Sequence, residues 1–310
     1  ANVTSTSATY TDSAWSSTDS IIISDSWAFG GDTYGYAAGG YSTTRIDKFA
    51  FSSNTTSTDH GDLSEAKNGP SGSSSTDYGF SSGGSPGVRS DVIDKFSFTS
   101  TGTATDHGDL ITAVWNAAGA SSSTDGYSCG GSTSSSNNVN TIEKFAFSSN
   151  TTASDHGDIT VARQGVVGHS SENYGFVSAG YGGSYSNTID KFAYSSNTTA
   201  SDHGDLAYAR YQPAGMSSSD NGFTAGGGEP YVDTINKFSF ASNTTASDWG
   251  NLTISRQSRS GSSSTTDGFV SSGYYPTSSV IDKFSFTSSS GASDHGDLIS
   301  GRRNPSGHQY

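Results

Sequence analysis

The chain has 310 residues, of which the apolar types AVILMFWYC make up only 30%, and it carries a formal net charge of -14 with a pI near 4.6. This charge excludes a general electrostatic attraction to nucleic acid or to an anionic membrane. No apolar run approaches the roughly 18 residues that a spanning helix needs. The single cysteine, Cys129, excludes an intrachain disulfide. We therefore expect no nucleic-acid partner, no membrane insertion, and a fold stabilised by packing alone.

Residues 1–31 are rich in Ser and Thr and do not match the rest of the chain. Such a composition is typical of a linker or an attachment arm. We predict an N-terminal extension over 1–31 that serves attachment or oligomerisation. A single repeat domain is predicted for 32–310, because one period of about 47 residues runs through it.

The repeat is organised around a short strand, Ile-Asp-Lys-Phe-x-Phe. Glu143 and Asn236 depart from it at the second position, and Tyr194 departs at the sixth. Because side chains alternate between the two faces of a strand, each copy places two aromatic rings on one face. Six such faces need six equivalent surfaces to cover them, and a ring of stacked sheets provides these. The copies begin at Ile46, Ile93, Ile142, Ile189, Ile235 and Ile281.

Two further markers recur at constant distances from this strand. One is Asp-His-Gly-Asp-Leu, which begins at Asp59 in the first copy and becomes Asp-Trp-Gly-Asn-Leu at Asp248. The other is a glycine that follows it at a fixed offset. All length variation falls in the loop before the Ile, from 41–45 in one repeat to 132–141 in another. Constant spacing indicates packed scaffold, whereas a loop that tolerates insertions is where recognition residues are usually placed. The glycines are Gly72, Gly119, Gly168, Gly215, Gly261 and Gly307.

The fold that these markers predict is all-β, a six-bladed β-propeller of four-stranded blades. In the unit 155–202 we expect strands at about 161–168, 174–180 and 188–194, with a weaker fourth before Asp202. The last repeat ends part-way through, at Tyr310, and residue 32 occupies the next position of the repeat. We therefore expect the C-terminal strand to join the N-terminal blade and to close the ring, which removes the open edge.

These residues resemble the kelch repeat. The likeness lies in a stretch ending in Arg (Thr160-Val161-Ala162-Arg163), an aromatic strand ending in a glycine doublet such as Gly39-Gly40, a variable loop, and the Ile-Asp-Lys-Phe strand. The usual Trp is replaced by small residues such as Ala153. In the detail of their sequence, such as Asp-x-Gly-Asp-Leu, the repeats are similar to kelch-like repeats of marine phages and of environmental bacterial surface proteins. The resemblance implies the propeller fold and an extracellular or virion-surface location.

A histidine recurs within the Asp-His-Gly-Asp marker and raises the question of a metal site. A propeller should hold equivalent side chains of the outermost strand far apart, and one marker alone supplies too few ligands for zinc or calcium. We therefore interpret the marker as a structural turn, in which Asp accepts backbone N–H bonds and Gly adopts a positive φ. No metal and no cofactor are predicted. The histidines are His60, His107, His156, His203 and His295.

Two sets of residues are candidates for ligand binding. The first is the Arg that ends the first segment of four repeats, which the kelch resemblance places near the mouth of the central channel. Its alternative role is hydrogen bonding to blade carbonyls. The second is the group of tyrosines in the variable loops, whose rings suit stacking on a sugar; their alternative role is to cap the blades. The candidates are Arg163, Arg210, Arg256, Arg302, Tyr41, Tyr181, Tyr231, Tyr274 and Tyr275.

Catalysis finds no support in the motifs. The chain lacks a Gly-x-Ser-x-Gly elbow, a His-Glu-x-x-His helix and a phosphate loop, so no catalytic residues are predicted. We expect a non-enzymatic binding module, a phage appendage or surface adhesin that recognises a glycan or cell-surface receptor through its loops. The alternative is a structural subunit or decoration protein that contacts neighbouring virion or filament subunits through 1–31. A kelch-type oxidase is the third and weakest interpretation.

Overall fold

The computed structural model describes residues 31–257 and 260–309. Before residue 31 it describes only the backbone of four two-residue strands, so the function predicted for 1–31 lies outside the described residues. These strands form two antiparallel pairs, β1 with β4 and β2 with β3. They are β1 (Asn2–Val3), β2 (Tyr10–Thr11), β3 (Ala14–Trp15) and β4 (Ile23–Ser24).

The first three repeats form strands that alternate with short turns. The first contributes β5 (Tyr34–Ala38), β6 (Arg45–Ala50) and β7 (Thr58–Asp62). The second contributes β8 (Ser71–Ser74), β9 (Tyr78–Ser82), β10 (Val92–Ser97), β11 (Gly102–Thr103) and β12 (Thr105–Asp109). The third contributes β13 (Ala118–Ser121), β14 (Asp125–Cys129), β15 (Ser132–Ser134), β16 (Asn137–Asn138), β17 (Thr141–Ala146) and β18 (Ser154–Asp158).

The remaining strands repeat the same order. The fourth repeat contributes β19 (Val167–Ser170), β20 (Tyr174–Ser178), β21 (Ser186–Ala193) and β22 (Ser201–Arg210). The fifth contributes β23 (Ala214–Ser217), β24 (Asn221–Ala225), β25 (Thr234–Ser239) and β26 (Ser247–Asn251). The sixth contributes β27 (Ser260–Ser263), β28 (Asp267–Ser271), β29 (Ser278–Ser285) and β30 (Ser293–Arg302), and β31 (Ser306–Gln309) follows.

These strands form a six-bladed β-propeller, as the repeat predicts. Five blades are continuous antiparallel sheets, which we number blades 2 to 6 after the repeats that form them. Blade 1 combines β5, β6 and β7 with β31, whose Ser306 lies opposite Ala38. The C-terminal strand therefore closes the ring, as predicted. Blade 1 has a fifth strand instead of the predicted four, because β11 pairs with the outer edge of β7 in parallel. The described residues contain no helix, and thus none that could span a membrane.

Two predicted boundaries are wrong. The first strand of the fourth repeat is β19, which begins at Val167, whereas 161–166 lie outside the named strands and are buried from Arg163 onward. The fourth strand begins at Ser201 and therefore contains the Asp-His-Gly-Asp marker, which was predicted as a turn. The marker instead forms a β-bulge. In blade 1 the register shifts between Ile46 and Asp47, and the Gly61 N–H donates to Asp59 Oδ1 at 2.9 Å.

The recurring glycines bring the six inner strands together around the axis. A Cβ on Gly168 would lie 1.9 Å from the Gly119 carbonyl oxygen, and one on Gly119 would lie 2.0 Å from that of Gly72. A Cβ on each of the other four glycines would lie 2.1 to 2.6 Å from a glycine carbonyl oxygen in the same way. Any side chain at these positions would therefore collide with the backbone of the preceding blade. The axial cavity between the inner strands measures only about 80 Å³.

The aromatic faces of the Ile-Asp-Lys-Phe strands are buried between blades, as the alternation predicts. At each of the six interfaces the second ring of one blade stacks on an aromatic ring of the preceding blade, with centroids 4.5 to 4.8 Å apart. Such pairs add about 0.5–1.5 kcal/mol each beyond the area they bury. The stacked pairs are Tyr36–Phe98, Phe80–Phe147, Tyr127–Tyr194, Phe176–Phe240, Phe223–Phe286 and Phe269–Phe51.

The marker histidines join neighbouring blades. His60 Nε2 lies 2.7 Å from the Ser97 carbonyl oxygen of the next blade, and the other four histidines repeat this bond. In blade 5 the equivalent residue is Trp249, whose Nε1–H donates to the Ser285 carbonyl at 2.8 Å. A carbonyl oxygen can only accept, so its partner must be an N–H group in every blade, as it is in Trp249. The marker histidines therefore carry a proton on Nε2.

Candidate functional site

The four predicted arginines point into the blades. Arg163, Arg210, Arg256 and Arg302 are at most 4% exposed. Their guanidinium groups donate to backbone carbonyls of the blade that follows them in the ring, for example from Arg163 Nε to the Ala179 oxygen at 2.8 Å. This is the alternative role considered for them. In this conformation they are not accessible to a ligand, and ligand contact by them stays an untested prediction.

Three of these arginines, and Lys67 at the equivalent position before blade 2, also pair with the Asp of the Ile-Asp-Lys-Phe strand. Arg256 Nη2 lies 2.9 Å from Asp282 Oδ2, and both side chains are fully buried. Burial raises the pKa of Asp282 and lowers that of Arg256. Desolvation of the two charges thus outweighs their attraction. The buried pairs are Lys67–Asp94, Arg163–Asp190, Arg256–Asp282 and Arg302–Asp47.

Two blades depart from this pairing in opposite directions. In blade 5 the carboxylate is replaced by Asn236, whose Oδ1 accepts from Arg210 at 2.9 Å, and burial lowers the pKa of Arg210 to about 10. In blade 3 the cation is replaced by Val114, and burial raises the pKa of Glu143. The Glu143 carboxylate accepts the Ile111 N–H at 2.7 Å instead. The two irregular copies of the repeat are therefore electrostatically unpaired.

One side of the ring, which we call the loop face, is formed where two variable segments meet. The residue after each buried cation forms a bridge with the residue after the glycine that ends the second strand, as in Gln164 with Tyr181 and Gln257 with Tyr274. In blade 1 the Tyr41 N–H donates to the Arg303 carbonyl at 3.0 Å. These bridged positions differ from blade to blade. In chain order they hold Asn68 with Ser85, Trp115 with Ser132, Gln164 with Tyr181, Tyr211 with Gly228, Gln257 with Tyr274, and Arg303 with Tyr41.

Tyrosines of the loop face contact one another between blades 4 and 5. Tyr185 lies 5.4 Å from Tyr181 and 6.2 Å from Tyr211, measured between ring centroids. Its hydroxyl donates to Glu229 Oε2 on the next blade at 3.1 Å. The first two of these tyrosines are more than one third exposed. The arrangement presents ring faces and a hydrogen-bonding carboxylate side by side.

A second group of tyrosines continues across blades 5, 6 and 1. Tyr231 lies 5.4 Å from Tyr275, and Tyr274 lies 3.9 Å from Tyr275. Arg303 then bridges Tyr274 to Tyr41, with its guanidinium carbon 4.7 Å and 3.8 Å from the two ring centroids. Tyr41 and Tyr275 are 53% and 56% exposed. We call Tyr41, Tyr181, Tyr185, Tyr211, Tyr231, Tyr274 and Tyr275 the tyrosine rim.

An open cavity of about 470 Å³ lies at one end of the tyrosine rim, where the two ends of the propeller meet. We call it the closure cavity. Its walls combine two aromatic rings with hydroxyls, a glycine and arginines, and they come from blades 6 and 1. The lining residues are Tyr41, Ser42, Thr43, Tyr274, Thr277, Ser300, Gly301, Arg302 and Arg303.

Three of the rim hydroxyls, those of Tyr185, Tyr231 and Tyr275, have pKa values raised above the ordinary tyrosine value and are protonated at neutral pH. The pKa of Tyr185 is raised by burial and by its bond to Glu229, and that of Tyr231 is raised by burial and by the charge of Glu229. Contact with the Tyr274 hydroxyl raises the pKa of Tyr275. Each of these hydroxyls can therefore both donate and accept a hydrogen bond.

Groups suited to covalent or metal chemistry are dispersed. Cys129 is fully buried in β14, and burial raises the pKa of its thiol. The five marker histidines lie at five different blade interfaces. Among residues 31–257 and 260–309, no group of three or more His, Cys, Asp or Glu is placed to hold a metal ion.

The structure brings the five predicted tyrosines onto one face, whereas the four predicted arginines are buried. Of these arginines, Arg302 lines the closure cavity together with Tyr41 and Tyr274. Sequence reasoning missed Arg303 and Tyr211 as members of this face. A signal for both was present, because each directly follows a cation of the repeating series, at a position that holds five different residue types in the six blades.

Comparison of the chain with models of known protein families gives no match. Comparison with individual curated proteins gives no match either.

Proposed function

We propose that the protein is a non-enzymatic binding module that recognises a glycan through the tyrosine rim. The observation that carries this proposal is the presence on one face of two groups of tyrosine rings, one between blades 4 and 5 and one across blades 5, 6 and 1, in which five of the seven rings are exposed. A sugar can stack its C–H face on such rings while its hydroxyls bond to neighbouring polar groups. The closure cavity at the end of the rim supplies both, because its two tyrosine rings lie in one wall with the hydroxyl-bearing residues Ser42, Thr43, Thr277 and Ser300.

The setting we propose is an extracellular or virion surface, with the protein acting as a phage appendage or a surface adhesin. The acidic composition and the Ser, Thr and Gly content of the exposed loops support this setting. The resemblance to kelch-like repeats of marine phages and environmental bacterial surfaces supports it further. The partner is then a glycan or a glycan-bearing cell-surface receptor.

A glycan array tests the proposal. Wild-type protein should bind at least one glycan, and the variants Tyr231→Ala and Tyr274→Ala should lose about 10-fold or more in affinity, since a buried aromatic anchor typically contributes over 1 kcal/mol. Val161→Ala, an exposed apolar residue outside the rim, is the matched control and should bind as wild type does. Absence of glycan binding by the wild-type protein would contradict the proposal.

The second candidate is a structural subunit or decoration protein. The non-repeating composition of residues 1–31, which the propeller does not need for ring closure, favours this role. Neighbouring virion or filament subunits would then be held through 1–31. A chain lacking 1–31 should fold but fail to assemble, as measured by size-exclusion chromatography and electron microscopy. Normal assembly of that chain would contradict this role.

A further inference from the structure

The closure cavity contains a cation that is oriented for binding but has no anionic partner. Arg303 is half-buried between the rings of Tyr41 and Tyr274. Within the described residues it takes part in no ion pair, and no side-chain hydrogen bond is formed by its guanidinium. Stacking on aromatic faces holds a guanidinium through its flat sides. Its N–H groups, which lie in the plane, stay available along the edge.

The other arginines near this cavity are already paired. Arg302, in the cavity wall, bonds to Asp47 and to two backbone carbonyls. Arg45 donates from Nε to Asp47 at 2.8 Å and from Nη2 to the cavity residue Ser300 at 2.7 Å. Arg303 is therefore the cavity cation available to a ligand in a protein whose net charge is -14.

The residue type at this position distinguishes blade 1 from the others. Equivalent positions hold Gln164 and Gln257 in blades 4 and 6, so the scaffold tolerates a neutral side chain of similar length there. Only one other cation stacks on a ring of the loop face among the described residues. It is Arg89, whose guanidinium carbon lies 4.2 Å from the Trp115 ring centroid, where blades 2 and 3 meet and outside the closure cavity.

We propose that the closure cavity binds the anionic group of an acidic saccharide, a carboxylate or a sulfate ester, through the edge of Arg303. The sugar ring would lie against Tyr41 or Tyr274, and the hydroxyls of Ser42, Thr43 and Thr277 would bond to its own. A planar carboxylate and a sulfate both match the paired N–H groups of a guanidinium. This inference rests on the proposed glycan recognition and names the class of glycan.

Titration calorimetry with matched polysaccharides tests this inference. Oligogalacturonate and its methyl ester differ only in the charge of the carboxyl group, and dextran sulfate and dextran differ only in sulfation. We expect the full chain to bind at least one charged probe about 10- to 100-fold more tightly than its neutral partner. The arm that shows this preference identifies the anionic group. Binding should weaken as salt is raised.

Two variants with equal loss of charge locate the site. Arg303→Gln should lose the preference for the charged probe, whereas Arg89→Gln should bind within about twofold of wild type. Equal effects of the two variants would overturn the inference, because they would report net charge alone. Binding of neutral glycans only, abolished by Tyr274→Ala, would overturn the inference and leave the proposed function standing. Absence of binding to every glycan would overturn both.

Discussion

The axis and the loop face of the propeller use the six repeats in opposite ways. At the axis all six inner strands carry glycine at one position, because each backbone lies against the next with no room for a Cβ. On the loop face the bridged positions hold five different pairs of residues in the six blades, among them Trp115 with Ser132 and Arg303 with Tyr41; only the Gln–Tyr pair occurs twice. Identity within the repeat thus indicates backbone contact between blades. Difference within the repeat indicates surfaces that the ring does not need, where binding can be placed.

The largest effect should come from breaking the axis. Gly168→Ala would place a methyl group 1.9 Å from the Gly119 carbonyl oxygen. Because both groups are fixed to the backbone, no side chain can rotate to relieve the collision. We expect failure to fold or a loss of about 5 kcal/mol or more, the range reached by few single substitutions. Urea unfolding followed by circular dichroism measures this.

The matched substitution on the loop face is Tyr231→Ala, which we expect to change the free energy of unfolding by less than about 0.5 kcal/mol. A stable Gly168→Ala protein with the wild-type unfolding midpoint would contradict the account of the axis.

The next effect concerns the buried ion pairs. Arg256→Val copies the residue of blade 3 into blade 6 but leaves the Asp282 carboxylate buried and unpaired. We expect a loss of about 3–5 kcal/mol at pH 7, which is typical when one partner of a buried pair is removed. The same unfolding measurement applies.

A surface pair in the same strand provides the control for this variant. Lys283 lies 3.3 Å from Asp267, and both side chains are partly exposed. Lys283→Gln should therefore cost less than about 1 kcal/mol. Equal losses for the two variants would show that burial does not determine the strength of these pairs.

A smaller effect, spread over pH, concerns two histidines of the inner strands. Burial lowers the pKa of His169 and of His308 to about 4. The unfolded chain binds these protons at a pKa near 6.5, so it is favoured as the pH falls. Stability is therefore fully present above about pH 6.5 and is lost between pH 6.5 and 4, by about 3 kcal/mol for each histidine.

Substitution of one of these histidines isolates its contribution to the pH dependence of the free energy of unfolding. Serine occupies the position equivalent to His308 in blades 2 and 6, as Ser73 and Ser262. His308→Ser should lower the loss of unfolding free energy between pH 7.5 and 4.5 by about 3 kcal/mol relative to wild type. An unchanged difference between the two pH values would show that His308 is not neutral in the folded state.

The sequence predicts the ring well because its markers act locally. Two phenylalanines on alternate strand positions and one glycine at a constant offset are sufficient for six stacked sheets. Burial of the arginines was considered only as their alternative role, since spacing along the chain does not show which way a side chain points. Covariation did not decide the question, because the repeat with Asn236 keeps Arg210 and the repeat with Val114 keeps the carboxylate of Glu143.

The site was predicted only in part for a different reason. The loop tyrosines could be recognised from composition, because their loops vary in length. The closure cavity could not, since Tyr41 and Arg303 lie at opposite ends of the chain and meet only when β31 joins blade 1. The repeat positions at the two ends of the chain predicted which strands pair, but not which side chains meet where they join.

The most direct test of the central claim, that the rim binds and the ring supports it, is one paired measurement on Tyr274→Ala. Small residues already occupy the equivalent positions in three blades, as Ser85, Ser132 and Gly228. Thermal unfolding of the variant should therefore match that of wild type, while its affinity for the glycan identified on the array falls about 10-fold or more. Unchanged affinity, or loss of affinity together with loss of the fold, would contradict the claim.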